Sequence, residues 1–307
     1  MANVHILNVG DGDCAIIQHE DNKVTMIDCC HGSDSEEESH NPSNPNWFLN
    51  KLSVKGIFRF ILTHPDMDHM GGLKLIHEKH PITNFWDIDN NKQLDGGHED
   101  WECYQTLRKS KENPKALHYT DGSSTKYFAY DDSGKKLDDY IQILSPTSEM
   151  IKDANESQEW NDCSYVILYC IHSKKILFCG DAGDNTLKQI LTKPEVKDID
   201  ILIAPHHGRK PENDDYSYLD VMNPKLVVCE QVDGEFVPKK EYENRGIKHI
   251  EKVSAFDITL NIQGNGTIVV MSTNKRYVDV CNSKRNIPQT RHALFLPYST
   301  YVLDNLL

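Results

Sequence analysis

The sequence lacks several features that would have assigned it to a class at once. It has no apolar run near the roughly 18–20 residues that a membrane-spanning helix needs, and its start, MANVHILNVGDGDCAII, lacks the basic and apolar regions of a signal peptide. It has no C-x-x-C pair, and its nine cysteines are scattered, several of them in apolar runs. These absences predict a cytoplasmic protein without disulfides.

Positive charge is also scarce, and this limits the possible partners. The 307 residues include 33 Lys and Arg against 47 Asp and Glu, which gives a net charge of −14. Because Lys and Arg hold backbone phosphates, such a chain is a poor general binder of nucleic acid. Bound metal ions could still supply positive charge locally, so a phosphodiester substrate is not excluded.

The motifs of other hydrolytic and nucleotide-binding chemistries are missing as well. The sequence contains no G-x-S-x-G, no P-loop and no cysteine in an evident electropositive context. No nucleophile motif therefore competes with metal-dependent chemistry.

Short apolar or alternating runs bounded by Gly, Asp and Asn predict strands in both halves of the chain. They are VHILNV, AIIQ, VTMID and IFRFILT early, and YVILYC, KKILFC, IDILIA, KLVVCE, DITLNI and GTIVVM later. Helical patterns are fewer: GLKLIHEKH, DNTLKQILTK and DYSYLDVM. We expect one domain over residues 1–307, with a β core and outer helices, a loop-rich insertion at about 87–140 and a C-terminal extension at about 275–307.

Residues 63–69, T-H-P-D-M-D-H, follow an apolar strand and contain four possible metal ligands: His64, Asp66, Asp68 and His69. Side chains two residues apart in an extended chain face the same way, so His64 and Asp66 can address one metal ion. Asp68 and His69 follow where the chain turns and can address a second ion. Taken alone, the stretch could also be a polar strand-to-helix turn with Asp68 as the helix cap.

Two further strand ends repeat this pattern. KKILFCGDAG has Asp181 at the end of an apolar strand, and DIDILIAPHHG has His206 and His207 in the same position. Three strand ends that bear Asp or His next to small residues are what a site along one edge of a β core requires. The repetition favours a metal site over a polar turn.

Together these motifs resemble the metallo-β-lactamase family, and within it the branch that contains the hydrolase domain of ComEC, a DNA-uptake protein. The resemblance covers most of the chain and runs in the family's order through LNVGDGDCAIIQ, VTMID, THPDMDHMGG, NDCSYVIL, FCGD and APHHG. It implies an α/β fold, the four-layer αββα sandwich, with a dinuclear metal site at one rim.

The resemblance also implies two metal sites that share a bridging aspartate. The ligands carried over are His64, Asp66 and Asp181 for the first ion, and Asp68, His69, Asp181 and one histidine of the pair His206 and His207 for the second. Of this pair we favour His207. His206 would then face the substrate. Asp28, at the end of VTMID, is interpreted either as a residue that orients a ligand histidine or as a structural hydrogen-bonding residue.

Two positions depart from the pattern of the broad family. The family has a histidine where Asp66 stands, and often another near Asn161, which could therefore ligate weakly or only position a water. Three aspartates against three histidines make a harder and more negative site. This composition favours Mn²⁺ and leaves Zn²⁺ possible.

These features predict a metal-dependent hydrolase with two divalent ions, Zn²⁺ or Mn²⁺, and a bridging hydroxide held by Asp68 and Asp181. We expect a phosphodiesterase or nuclease acting on DNA, RNA or a nucleotide, in which His206 contacts the phosphoryl group or protonates the leaving group. Arg209 and Lys210 directly follow P-H-H-G and could hold the phosphate, although a solvated loop explains them equally well.

Other interpretations stay open. The fold would permit hydrolysis of a carboxylic ester, lactone or thioester, and the chain could be a weakly catalytic subunit of a multi-protein system. The apolar tail either packs back on the domain, which we favour, or binds a protein partner or a second copy. Its apolar residues are Leu294, Phe295, Leu296, Tyr298, Tyr301, Val302 and Leu303. No membrane partner is expected.

Overall fold

The computed structural model describes residues 1–123, 128, 133–229, 237–284, 296 and 298–303. Within these residues the chain forms fifteen strands and ten α-helices. The strands are β1 Ala2–Ile6, β2 Ala15–Gln18, β3 Val24–Ile27, β4 Ile57–Ile61, β5 Ile82–Trp86, β6 Lys115–Leu117, β7 Asp139–Ser145, β8 Val166–Ile171, β9 Lys174–Phe178, β10 Ile201–Ile203, β11 Leu226–Cys229, β12 Lys248–Glu251, β13 Ile258–Ile262, β14 Ile268–Ser272 and β15 Tyr301–Leu303. The helices are α1 Pro45–Lys51, α2 Met67–Met70, α3 Leu73–Lys79, α4 Glu99–Leu107, α5 Ser148–Ser157, α6 Asp184–Ile190, α7 Ser217–Met222, α8 Lys239–Asn244, α9 Lys252–Ala255 and α10 Lys275–Lys284.

The strands form two sheets. The first has nine strands in the order β15-β14-β13-β1-β2-β3-β4-β5-β6, and the second has six in the order β12-β11-β10-β9-β8-β7. In the first sheet β3, β4, β5 and β6 are parallel neighbours. In the second sheet β9, β10, β11 and β12 are parallel. Each sheet therefore has a parallel part, at whose carboxyl ends loops from several strands meet.

Alternate residues of each strand face different apolar layers, as the period of two requires. In β4, Ile61 belongs to the core between the sheets, whereas Phe60 packs on the outer face with helix residues such as Leu73. In β9, Phe178 faces the core between the sheets, and Leu177 packs on the other outer face with residues such as Leu187 of α6. Helices thus cover the outer faces of two stacked sheets, which confirms the predicted αββα sandwich.

All three predicted helical segments are helical: GLKLIHEKH contains α3, DNTLKQILTK contains α6 and DYSYLDVM contains α7. The insertion predicted to be loop-rich also contains helix α4 and strand β6, which sequence reasoning missed. The buried residues of α4, Trp101, Tyr104 and Leu107, are spaced by three and face α3 and the first sheet. Only these three of the nine residues are apolar and buried, and most of the others are charged or polar. The sequence of α4 therefore gives only a weak helical periodicity.

The described part of the C-terminal tail lies on the first sheet. β15 pairs antiparallel with β14, where Val270 faces Leu303. The Tyr298 ring packs on Phe48, and its hydroxyl lies 2.9 Å from Nδ1 of His5. Leu294 and Phe295, which we also predicted to belong to this apolar tail, lie outside the described residues.

Two further properties concern the chain as a whole. Within the described ranges, no helix combines the length and the hydropathy that crossing a bilayer would require. All nine cysteines are described, and none of them is in a disulfide.

Candidate metal centre

The polar septet follows β4 and leads into α2. His64 lies three residues beyond the end of β4 and is buried. Asp66 immediately precedes α2 and makes no capping hydrogen bond, and Asp68 lies inside the helix. The alternative in which Asp68 caps a helix is therefore wrong, and the side chains of the septet need another explanation.

Asp181 reaches the septet from the second sheet because the chain passes very close to β4. Gly180, which follows β9, has φ +49°, and a Cβ added there would lie 2.9 Å from Cβ of Thr63. Glycine alone fits this approach without strain. The close contact brings the carboxylate of Asp181 beside the residues that follow Thr63.

The two oxygens of Asp181 face different histidines. Oδ2 lies 3.9 Å from Nε2 of His64 and 3.5 Å from Nε2 of His206. Oδ1 lies 3.2 Å from Nε2 of His69 and 3.4 Å from Nε2 of His207. One carboxylate therefore stands between two pairs of imidazole nitrogens.

The two carboxylates of the septet, Asp66 and Asp68, likewise lie near different histidines. Oδ2 of Asp66 lies 3.9 Å from Nε2 of His64. Oδ2 of Asp68 lies 3.8 Å from Nε2 of His69 and 3.5 Å from Nε2 of His207. We call His64, Asp66, His206 and Oδ2 of Asp181 the first donor set, and Asp68, His69, His207 and Oδ1 of Asp181 the second donor set.

The two adjacent histidines enter these sets through an unusual turn. His206 and His207 have φ of 49° and 57°, a left-handed backbone that costs non-glycine residues about 1 kcal/mol or more each. The His206 N–H donates to the carbonyl of Gly180 at 2.8 Å, which fastens the turn beside Asp181. His207 is buried, whereas the His206 side chain is 36% exposed. The structure thus turns His207 inward and leaves His206 at the open side.

Two buried carboxylates stand behind the imidazoles of the second donor set. Oδ2 of Asp28 lies 2.8 Å from Nδ1 of His69, and Asp28 also accepts from the backbone N–H and hydroxyl of Thr63. Oδ1 of Asp13 lies 2.8 Å from Nδ1 of His207. Carboxylates at Nδ1 fix the ring orientation and leave Nε2 as the metal-binding atom.

Sequence reasoning singled out Asp28 and missed Asp13. Asp13 lies in the loop GDGDC between β1 and β2, four residues after the predicted strand VHILNV and within the motif LNVGDGDCAIIQ, but sequence reasoning gave it no role. Ligand atoms of Asp13, His69, Asp181 and His207 come within 4.8 Å of one another, so Asp13 could be counted as a ligand by proximity. We assign it to Nδ1 of His207 instead, because that contact is the shorter one and leaves Nε2 facing Asp181.

The donor atoms fit divalent metal ions. Among the described residues, Nε2 of His64, Nε2 of His69 and Oδ1 of Asp181 are buried and make no hydrogen bond of good geometry, although the last two lie 3.2 Å apart. Buried polar atoms are normally paired, so these facing nitrogen and oxygen atoms suit a bound cation. Imidazole and carboxylate together suit Zn²⁺ and Mn²⁺.

Electrostatics distinguishes the two donor sets. Burial lowers the pKa of His64 to about 4. Burial also acts to lower the pKa of His69, but the charges of Asp28 and Asp181 outweigh it and raise that pKa well above its usual value. Against the same effect of burial, Asp13 raises the pKa of His207 to about 10. The second donor set therefore attracts positive charge more strongly than the buried imidazole of His64 does.

The other predicted site residues lie further out. Within the described chain, no hydrogen bond joins the Asn161 side chain to a candidate ligand, although its segment is tied to the strand end by a bond from Tyr165 N–H to the Thr63 carbonyl. Nη1 of Arg209 lies 3.5 Å from Nε2 of His206. Lys210 pairs with Asp214 at the surface.

A lysine that sequence reasoning did not single out lies against the centre. Nζ of Lys92 is 2.5 Å from Oδ1 of Asp66. Lys92 lies in the predicted insertion, in a stretch that we predicted only as a loop, and no motif surrounds it. Only the tertiary structure brings Lys92 to this position beside Asp66.

Comparisons with known proteins bear on the fold and the family. The model of the metallo-β-lactamase superfamily matches residues 7–153. No curated protein matches the chain. This family match, together with the two-sheet sandwich, supports the metallo-β-lactamase superfamily; none of the comparisons identifies the ComEC-like branch.

Two solved structures illustrate the likeness. A mutant of CmlA, a β-hydroxylase from Streptomyces venezuelae, has a TM-score of 0.54 at 11% identity over 84% of this chain and 54% of that one, so this chain spans about half the length of CmlA. A metallo hydrolase from the archaeon Ignicoccus hospitalis has a TM-score of 0.52 at 14% identity over 85% of this chain and 100% of that one. At such identities the likeness concerns the fold alone.

Proposed function

We propose that this chain, which matches the metallo-β-lactamase superfamily over residues 7–153 and has its sandwich of two sheets, is a two-metal hydrolase of phosphodiesters. The observation that supports this most is the position of Asp181, whose two oxygens face two separate donor sets. A carboxylate shared in this way suits two divalent ions that clamp one reacting group.

Two ions bound by these sets would lower the pKa of a water molecule and polarise the phosphoryl group. The chain's own residues have separate tasks. Asp13 and Asp28 hold the rings of His207 and His69, so that the donors need little rearrangement. His206 has its Nε2 on the open side, where it could donate a proton to the leaving oxygen or complete the first donor set.

The substrate class follows from the ligands and the charge. A carboxylate at Asp66, where the broad family has a histidine, supports the ComEC-like branch and Mn²⁺ as a competent metal beside Zn²⁺. A net charge of −14 disfavours broad contact with a nucleic-acid backbone. A nucleotide, or DNA or RNA delivered by a partner, is therefore the substrate that we infer.

Two further proposals concern the cellular location of the protein and its C-terminal tail. The nine cysteines, none of them in a disulfide, support a reducing compartment such as the cytoplasm. Because β15 and Tyr298 lie against the first sheet, a protein partner or second copy would have to bind beside the packed tail. Asn161 remains a candidate for positioning water next to the first donor set.

The experiment compares wild type with Asp68→Asn and Asp181→Asn, each saturated in turn with Mn²⁺ and Zn²⁺. The substrates are bis(p-nitrophenyl) phosphate, cyclic nucleotides, single-stranded DNA, duplex DNA and RNA. We expect each variant to lose more than about a hundredfold in phosphodiester turnover, since even partners of ligands are typically worth 10–100-fold. Asp220→Asn, which breaks only an exposed pair with Arg245, is the matched control.

Two outcomes would contradict the proposal. Equal rates of wild type and Asp68→Asn, in folded protein with bound metal, would show that the donor sets are not used. A neutral lactone or carboxylic ester hydrolysed faster than every phosphodiester would favour the ester hydrolase instead.

A further inference from the structure

Lys92 lies at the open side of the first donor set. Its Nζ is 2.5 Å from Oδ1 of Asp66, while Oδ2 of the same carboxylate faces His64. The ammonium also lies 4.9 Å from the centroid of the Trp160 ring, within the range of a cation–π contact. The Lys92 side chain is 18% exposed and that of Asp66 is 34% exposed, so both groups remain open to solvent and to a ligand.

The segment that carries this lysine is fastened firmly. We call residues 88–92 the Lys92 loop. Helix α4 holds its first part, since Arg108 donates to the Ile88 carbonyl at 3.2 Å and the Asn90 amide bonds to the Tyr104 hydroxyl at 2.6 Å. Asn90 also accepts from the Lys92 N–H at 3.1 Å.

Helix α5 holds the other side of the same loop. The side chain of Asn155 accepts from the Asn91 N–H at 2.9 Å and donates to the Asp89 carbonyl at 3.1 Å. The same Asn155 oxygen accepts from the Trp160 indole at 3.2 Å. Asn155 therefore fixes both the backbone of the Lys92 loop and the ring of Trp160, which lies beside the Lys92 ammonium.

An ammonium beside a metal ligand disfavours the metal, because it repels the cation and occupies one carboxylate oxygen. A partly buried ion pair of this kind offers only modest stability in return. Stability alone therefore explains the position of Lys92 poorly. The net charge of the centre with two divalent ions bound suggests a better reason. The five clustered carboxylates, Asp13, Asp28, Asp66, Asp68 and Asp181, outnumber the four positive charges of two divalent ions.

An anionic phosphoryl group would therefore approach a centre that is net negative, in a chain that carries −14 overall. Two cations stand against candidate ligands at the open side: Lys92 on Asp66 and Arg209 on His206. Each of these cations contacts a different side chain of the first donor set. Lysine ammonium is a compact charge with three donors, so it can keep Asp66 and still reach a second oxygen.

We propose that Lys92 is a phosphate-binding residue of this centre, which donates to a non-bridging oxygen of a phosphoryl group bound beside Asp66. The assignment rests on the proposed phosphodiester function. It adds a recognition element that the ligand motifs do not contain, because Lys92 lies outside all of them. A neutral ester or lactone would gain nothing from it.

The test uses the full chain saturated with Mn²⁺ and measures binding of inorganic phosphate by calorimetry, with metal content determined on the same samples. Lys92→Met should weaken phosphate binding by about tenfold to a hundredfold, the range for one hydrogen bond to a charged group. Lys92→Arg should restore most of it. Lys74→Met, which removes an exposed lysine paired with Glu99, should match wild type.

The outcomes separate this proposal from the function on which it rests. Phosphate affinity that is equal in wild type and Lys92→Met, or phosphate that fails to bind wild type, overturns the assignment. A loss of bound metal in Lys92→Met together with the loss of phosphate also overturns it, since Lys92 would then only position Asp66. Phosphate binding that depends on Lys92 without any phosphodiester turnover would support the binding role and contradict the phosphodiesterase.

Discussion

Replacing Asp13 by asparagine tests whether the carboxylates behind the histidines tune the metal centre. Asp13 is buried, and its Oδ1 lies 2.8 Å from Nδ1 of His207. Asparagine keeps the shape and can still accept that hydrogen bond through its own oxygen, so the substitution removes the charge alone. Loss of such a partner typically weakens metal binding by 10–100-fold, or about 1.4–2.7 kcal/mol.

The assay is a calorimetric titration of metal-free protein with Mn²⁺ and Zn²⁺ in the presence of a competing chelator. We expect two ions per chain in both proteins, with one of the two affinities lowered in Asp13→Asn. The chain offers a matched control in Asp139→Asn, because Asp139 pairs with Nδ1 of His19 at 2.7 Å away from the centre. This control should leave both affinities unchanged.

Two results would refute the reasoning. Affinities of Asp13→Asn that agree with wild type within about twofold would mean that the contact with His207 does not tune the centre. A loss of one whole ion per chain would mean that Asp13 is itself a ligand, as its proximity to His69 and Asp181 permits.

Two further predictions concern stability and positioning. Burial lowers the pKa of His5 to about 4, so the unfolded chain takes up its proton first, and stability that is present above pH 6.5 should fall by up to roughly 3 kcal/mol as the pH drops toward 4. Chemical unfolding of metal-free protein should show a shallower pH slope in His5→Gln; parallel curves would contradict this. Gly180→Ala should destabilise the protein by about 1–3 kcal/mol and weaken metal binding, because its Cβ would strike Thr63 at a positive φ. Gly264→Ala is the control, since no atom of the described residues beyond its chain neighbours lies within 4 Å of its added Cβ. Equal metal affinities of the two variants would argue against the clash.

The strands and a β core with outer helices were predictable from local pattern, and the four-layer sandwich from the resemblance to the metallo-β-lactamase family. Alternating runs such as IFRFILT put Phe60 and Ile61 on opposite faces, and both faces of the parallel strands are covered, as the structure confirms. Helix α4 was missed because only three of its nine residues are apolar and buried, and these pack against α3 and the first sheet. Tertiary packing, more than intrinsic propensity, makes such a segment helical.

The septet, Asp181 and the adjacent histidines were recognisable because each group follows an apolar strand within a few residues. Strand ends carry this information in the sequence itself, since parallel strands present their carboxyl ends at a common edge. The sequence by itself therefore determined a β core with outer helices and a set of candidate ligands, and its resemblance to the family added the sandwich.

Only the tertiary structure decided how these ligands are divided and what surrounds them. Asp13 is 194 residues from His207, and Lys92 is 26 residues from Asp66, and neither was assigned a role from the sequence. The assignment of the two Asp181 oxygens to opposite donor sets depends on the approach of Gly180 to Thr63 across two sheets. These are contacts between distant segments, and their geometry depends on the packing of the whole sandwich, to which no single stretch of sequence corresponds.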